Sequence, residues 1–83
     1  MSKCIDEPIK VHQNNDVGTI TAFIWRKRLY RVLEILGWWR EPREWWNGES
    51  VQLFVRLNAQ HSSIGTYELS KLENDWFMHR VLD

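Results

Sequence analysis

The sequence predicts an all-β domain spanning residues 1–83. It reads as one antiparallel meander of about six strands, curled into a bent sheet or a small barrel. Three observations carry this. Short runs of β-branched and aromatic residues are separated by turn chemistry at Asn14-Asn15-Asp16-Val17-Gly18, at Asn47-Gly48, from Asn58 to Gly65 and at Glu73-Asn74-Asp75. Several of these runs alternate apolar with polar residues, the period of a half-buried strand. The connections are too short for parallel crossovers, which leaves antiparallel neighbours.

The strands follow in order. Ile9-Lys10-Val11-His12 alternates, and Pro8 suits a strand start. Thr19 to Trp25 and Arg28 to Leu33 form a hairpin about Arg26-Lys27, with Phe23 opposite Tyr30 and Trp25 opposite Arg28. That turn lacks the Asn or Gly that two-residue hairpin turns prefer, so a longer loop is the alternative. Residues 33–44 are ambiguous, because Leu29, Leu33 and Leu36 fit helical spacing while the stretch also continues the strand. Strand running into an irregular loop is the preferred reading, with a short helical turn as the alternative. Val51 to Asn58, Gly65 to Leu72 and Trp76 to Leu82 complete the meander. The expected core is Phe23, Trp25, Tyr30, Leu53, Val55, Tyr67, Leu69, Trp76 and Val81.

Eighty-three residues are few for a stable core, and six tryptophans partly compensate, each burying roughly 150–250 Å². The 43% apolar content is that of a folded domain rather than a disordered chain. Net charge is zero, so there is no global attraction to polyanions. Locally, residues 26–46 carry six basic side chains against three acidic ones, while both flanks are mildly acidic. A single cysteine, Cys4, excludes an internal disulfide. No secretory segment and no apolar run of membrane-spanning length is read, so a cytoplasmic location away from membranes is expected.

Catalytic chemistry finds little support. His12, His61 and His79 are scattered and no CxxC, HxH or HExxH spacing occurs, so neither a metal nor another cofactor is expected. Ser62-Ser63 beside His61 lacks an orienting third group. Glu41 and Glu44 have Arg40 and Arg43 as ready partners, and no glycine cluster cradles a phosphate. The expectation is therefore a non-enzymatic binding module with no evident small-molecule substrate.

WWREPREWW (residues 38–46) is the feature that suggests binding. Interleaved rings and guanidiniums are the ingredients of a single-stranded nucleic-acid platform, where bases stack and cations track phosphates. Arg26, Lys27, Arg28, Arg40 and Arg43 are the candidate phosphate contacts, and Trp39 or Trp46 the candidate stacking rings. Trp and Arg are also favoured anchors of protein interfaces. The alternative is thus a protein-interaction module, docking a DNA repair protein through the Trp-rich loop or a strand edge.

The order of several motifs carries a resemblance. Glu7-Pro8-Ile9, Trp25 to Val32, Trp38-Trp39-Arg40-Glu41, Trp45-Trp46-Asn47-Gly48, Phe54-Val55-Arg56, Tyr67-Glu68-Leu69 and Trp76 to Val81 resemble a small bacterial family of uncharacterised stand-alone domains, over nearly the whole chain. Across 45–82 the chain is also similar to the C-terminal tail of ImuB-like proteins, the catalytically inactive Y-family polymerase relatives of bacterial mutagenic repair. Trp45-Trp46-Asn47-Gly48 and Trp76-Phe77-Met78-His79 carry that likeness. Lys27 departs from the stand-alone family's pattern, standing where the hairpin is expected to have glycine. The stand-alone family brings no known activity; the likeness to the polymerase tail implies an accessory role near translesion DNA synthesis, contacting single-stranded DNA or a repair protein, and lends no catalytic residue.

Overall fold

A computed structural model describes residues 4–14, 19–43 and 50–82. Six antiparallel strands run as β1 (Cys4–Gln13), β2 (Ile20–Trp25), β3 (Arg28–Arg43), β4 (Ser50–Gln60), β5 (Ile64–Leu72) and β6 (Asp75–Leu82). Each pairs with the next, and β1 pairs with β6 to close a barrel. Trp45 and Trp46 lie outside the described residues, as does the side chain of Arg43.

Alternation dictates the interior. Val11, Phe23 and Tyr30 are cross-strand partners in one inward row. Phe23, Trp25, Tyr30, Leu57, Ala59, Leu69 and Met78 form the buried core with Ile20 and Val55, and Leu53, Tyr67, Trp76 and Val81 pack against it. All nine expected core residues are therefore inside or against the core. Leu57, Ala59 and Met78 are fully buried additions to that expectation. Phe23 stacks on Tyr30 at 5.0 Å between ring centroids, and Tyr67 meets both rings edge-on.

The β2–β3 turn has only two residues, and the register is the expected one. Arg26 and Lys27 both adopt positive φ, 53° and 63°. Such a turn matches the twist of the strands it joins, but it normally uses Asn or Gly because a Cβ is strained there. Arg26 is compensated locally. It donates two hydrogen bonds of 2.9 Å to the Glu7 carboxylate and lies 4.5 Å from the centroid of Trp25. Trp25 Nε1 donates to the same carboxylate at 2.8 Å.

Residues 33–43 are neither an irregular loop nor a helical turn. They continue β3, which pairs with β4 as far as Arg43 opposite Ser50. Two bulges, between Val32 and Glu34 and between Ile35 and Gly37, each insert an extra residue. The residues that face Ala59, Leu57 and Val55 of β4 are consequently Val32, Ile35 and Trp38, three apart instead of two. Leu33 and Leu36, two of the three leucines with helical spacing, are the extra residues of these bulges.

Candidate binding cleft at the open end of the barrel

The barrel is not equally deep all round. β2 ends its pairing with β3 at Ala22 opposite Arg31, whereas β3 and β4 run on together for the rest of β3. Among the described residues the wall is thus open beside β3 beyond that point. A cleft of about 430 Å³ occupies this opening, lined by Gln13, Thr19 and Ile20 on one side and by Ile35, Trp38 and Arg40 on the other. Leu53, Val55, Lys71 and Trp76 form its floor and far rim.

Register explains why these side chains converge. Arg40, Leu53, Lys71, Trp76 and Ile9 are successive partners across β3, β4, β5, β6 and β1, so they form one row around the rim. Trp38 belongs to the neighbouring inward row, opposite Val55. Among the described residues no part of β2 pairs with β3 at this level, and Trp38 is 63% exposed. Two cation–ring pairs flank the cleft: the Arg40 guanidinium lies 5.7 Å from the Trp38 centroid and the Lys71 ammonium 5.5 Å from that of Trp76. The cleft therefore offers an apolar floor, two indole rings and two positive charges, which suits a flat aromatic group carrying negative charge.

The residues singled out in the sequence separate into two groups. Arg26, Lys27 and Arg28 stand at the hairpin, and Arg40 and Arg43 toward the other end of β3, on the order of 40 Å along the strand at ~3.3 Å per residue. They do not form one basic patch. Arg26 is committed to Glu7, and its hydrogen bonds, then that of Trp25, hold the Glu7 carboxyl down to about 2 from 4.5. The same contact raises Arg26 further above its ordinary value. Lys27 and Arg28 are exposed.

Trp39 is not an open stacking surface. It faces outward opposite Phe54 and stacks on it at 5.5 Å, with ring planes 13° apart. Its Nε1 donates to Glu41 at 2.8 Å, and the Arg56 guanidinium lies 5.6 Å from its centroid. Trp39 thereby covers Phe54, which is buried on the outer face together with Glu68 and Ser70. Arg56 donates to Glu68 through Nε at 3.0 Å and Nη2 at 2.6 Å. Of the pair it is Trp38, not Trp39, that is available. Lys71 and Trp76 were not read as site residues, since only the β3–β6 register brings them to Arg40.

Among the described residues no group of three or more His, Cys, Asp or Glu is placed to hold a metal ion. His79 donates through Nδ1 to Asp6 at 3.1 Å, and His61 through Nδ1 to the Leu29 carbonyl at 3.0 Å. Ser70, in the same outer cleft as Asp6 and His79, is fully buried with no hydrogen-bond partner for its hydroxyl among the described residues. Among the described residues no helix is long and apolar enough to cross a membrane.

Fold and cleft together define a small antiparallel β-barrel whose wall opens on one side into an aromatic and cationic cleft. The chain belongs to the DUF6504 family, a domain of unknown function, with the match covering residues 1–83. No curated protein and no solved structure matches the chain.

Proposed function

We propose that this domain is a non-enzymatic accessory module that binds single-stranded nucleic acid at the open end of the barrel. The observation that supports this reading is the pairing of Trp38 with Arg40 and of Trp76 with Lys71 across one cleft. An unstacked base lies against the exposed Trp38 ring, a contact worth roughly 1–3 kcal/mol per base. Arg40 and Lys71 neutralise the adjoining phosphates. The neutral net charge makes affinity depend on this one site rather than on a general basic surface. The likeness of Trp45-Trp46-Asn47-Gly48 and Trp76-Phe77-Met78-His79 to the tails of ImuB-like proteins supports a setting in translesion synthesis. Docking of a repair protein is the second reading. The open edge of β3, with Leu33 and Leu36 exposed on it, favours that reading.

Fluorescence anisotropy of a labelled single-stranded oligonucleotide, titrated at two salt concentrations, tests the nucleic-acid reading. Two phosphate contacts predict a slope of log K against log salt of about −1.4. Binding should fall at least ~10-fold in Trp38→Ala and again in Arg40→Ala. No binding at low salt up to ~100 µM protein, where non-specific binders already associate, would contradict the proposal.

A further inference from the structure

We infer that the outer face of the barrel carries a second binding site, a pit over Ser70 that takes the ammonium group of a primary alkylamine. It lies on the other side of the wall from the aromatic cleft and does not rest on the nucleic-acid reading. Ser70 stands between Leu69, which is core, and Lys71, which lines the inner cleft, so alternation turns its side chain outward. Its cross-strand partners are Phe54 on β4 and Phe77 on β6. A small side chain between two large ones leaves a hollow. A cleft of about 310 Å³ lies there, lined by Asp6, Gln52, Ser70, Leu72, Phe77 and His79.

The floor of this pit is polar where packing alone calls for an apolar group. Ser70 is fully buried, and its hydroxyl has no hydrogen-bond partner among the described residues. Alanine would fill the same place at no such cost, since a buried hydroxyl is tolerated when it is hydrogen-bonded. An unpartnered hydroxyl at the bottom of a cleft is completed by what enters the cleft. Asp6 is a second costly residue here. It sits at the bulge where β1 meets β6, with a positive φ of 53°. Its carboxylate accepts a hydrogen bond from His79 Nδ1 at 3.1 Å.

The chemistry of the lining selects the ligand. An ionised carboxylate only accepts, so Nδ1 of His79 is the donor, and the neutral imidazole keeps its other nitrogen as an acceptor. The Asp6 side chain is 62% exposed, and the bond to His79 uses Oδ1 alone. Ser70 Oγ, the Asp6 carboxylate and the His79 ring thus offer three acceptors around one cleft, and an ammonium carries three donors and no acceptor. A guanidinium suits the site less, because its fork pairs with both oxygens of a carboxylate and one of these already serves His79. Asp6 supplies the counter-charge that a partly buried cation needs. Of the cations on this face, Arg56 is already paired with Glu68, and Arg80, opposite Glu68, does not line the cleft. Leu72 and Phe77 give apolar walls for the alkyl stem. Gln52, an unbranched side chain on the rim, turns aside to admit it.

Titration of the isotope-labelled full chain with n-butylammonium chloride, followed by NMR, provides the test, with sodium chloride and n-butanol as the salt and alkyl controls. The amides of Ser70, Leu72 and Phe77 and the His79 ring should shift and saturate with a Kd of ~1–20 mM, the range open to so small a ligand. Neither control should saturate. Ser70→Ala should weaken binding at least ~10-fold. Its melting temperature should be unchanged or higher, because the variant removes a buried hydroxyl that has no partner. Asp6→Asn keeps an acceptor for His79 and tolerates the positive φ, and it should weaken binding as much through the lost charge. Nα-acetyl-lysine methylamide binding more tightly than n-butylammonium makes the ligand a lysine of a partner protein, and equal or weaker binding makes it a free amine; either result supports the site. No saturable shift up to ~200 mM, or equal affinity in the wild type and Ser70→Ala, overturns the inference. A melting temperature lowered by ~4 °C or more in Ser70→Ala overturns it too, since the hydroxyl would then be a structural group satisfied by water.

Discussion

The two ends of β3 sit in opposite circumstances. Near the hairpin, Leu29 to Arg31 has β2 alongside, and the inward rings of Phe23, Trp25, Tyr30 and Tyr67 pack against one another. Toward Arg43 the same strand has, among the described residues, only β4 beside it, and its inward Trp38 is exposed across the cleft. An aromatic residue on the inner face is core at one end and surface at the other, because the length of a neighbouring strand decides what covers it. The hairpin end is where stability resides, and the open end is where a ligand can enter.

The sharpest way to break this contrast is to empty the closed end. Leu57→Ala, in a fully buried position, should cost about 2–5 kcal/mol. Against a total on the order of 5–10 kcal/mol, that leaves the barrel close to unfolding in urea titration. Trp38→Ala at the open end should change stability by less than ~0.5 kcal/mol, while weakening oligonucleotide binding at least ~10-fold. A large loss of stability in Trp38→Ala would place it in the core and remove the contrast.

Smaller effects sharpen it. Lys27→Gly relieves a positive φ in the hairpin turn and keeps the Arg26–Glu7 pair. It should stabilise by about 0.5–1 kcal/mol, the strain relief outweighing the added freedom of the unfolded chain, and leave oligonucleotide affinity unchanged. The Glu7 pair gives the hairpin end a pH signature. Its carboxyl is held down to about 2 when folded, against 4.5 ordinarily. Its stabilisation is therefore complete above pH 4.5 and is lost as pH falls toward 2. The melting-temperature difference between the wild type and Glu7→Gln should shrink across that window and stay constant above it.

Alternation made most of this fold legible. The hairpin register, with Phe23 opposite Tyr30 and Trp25 opposite Arg28, needs only a period of two and a two-residue turn. The same counting fails beyond Val32. Two bulges shift the inward residues to Val32, Ile35 and Trp38, and the leucines they insert, Leu33 and Leu36, read in the sequence as helical spacing instead. Counting through without bulges puts Glu34 and Leu36 inside in place of Ile35, and it reaches Trp38 only because the second bulge restores the phase that the first one shifts. Charge proximity along the chain misled in the same way: Arg26 to Arg28 and Arg40 are close in sequence, yet a 16-residue strand holds them apart. Lys71 and Trp76, distant in sequence, join Arg40 only through three strand pairings.

Amide and indole chemical-shift mapping of the isotope-labelled chain, during titration with a short single-stranded oligonucleotide, shows whether the open end of the barrel is where a ligand binds. Binding at the cleft shifts the Trp38 and Trp76 indoles and the amides of Arg40, Leu53 and Lys71, and leaves the hairpin residues Lys27 and Arg28 undisturbed. Shifts centred on the hairpin, or none anywhere, would contradict it.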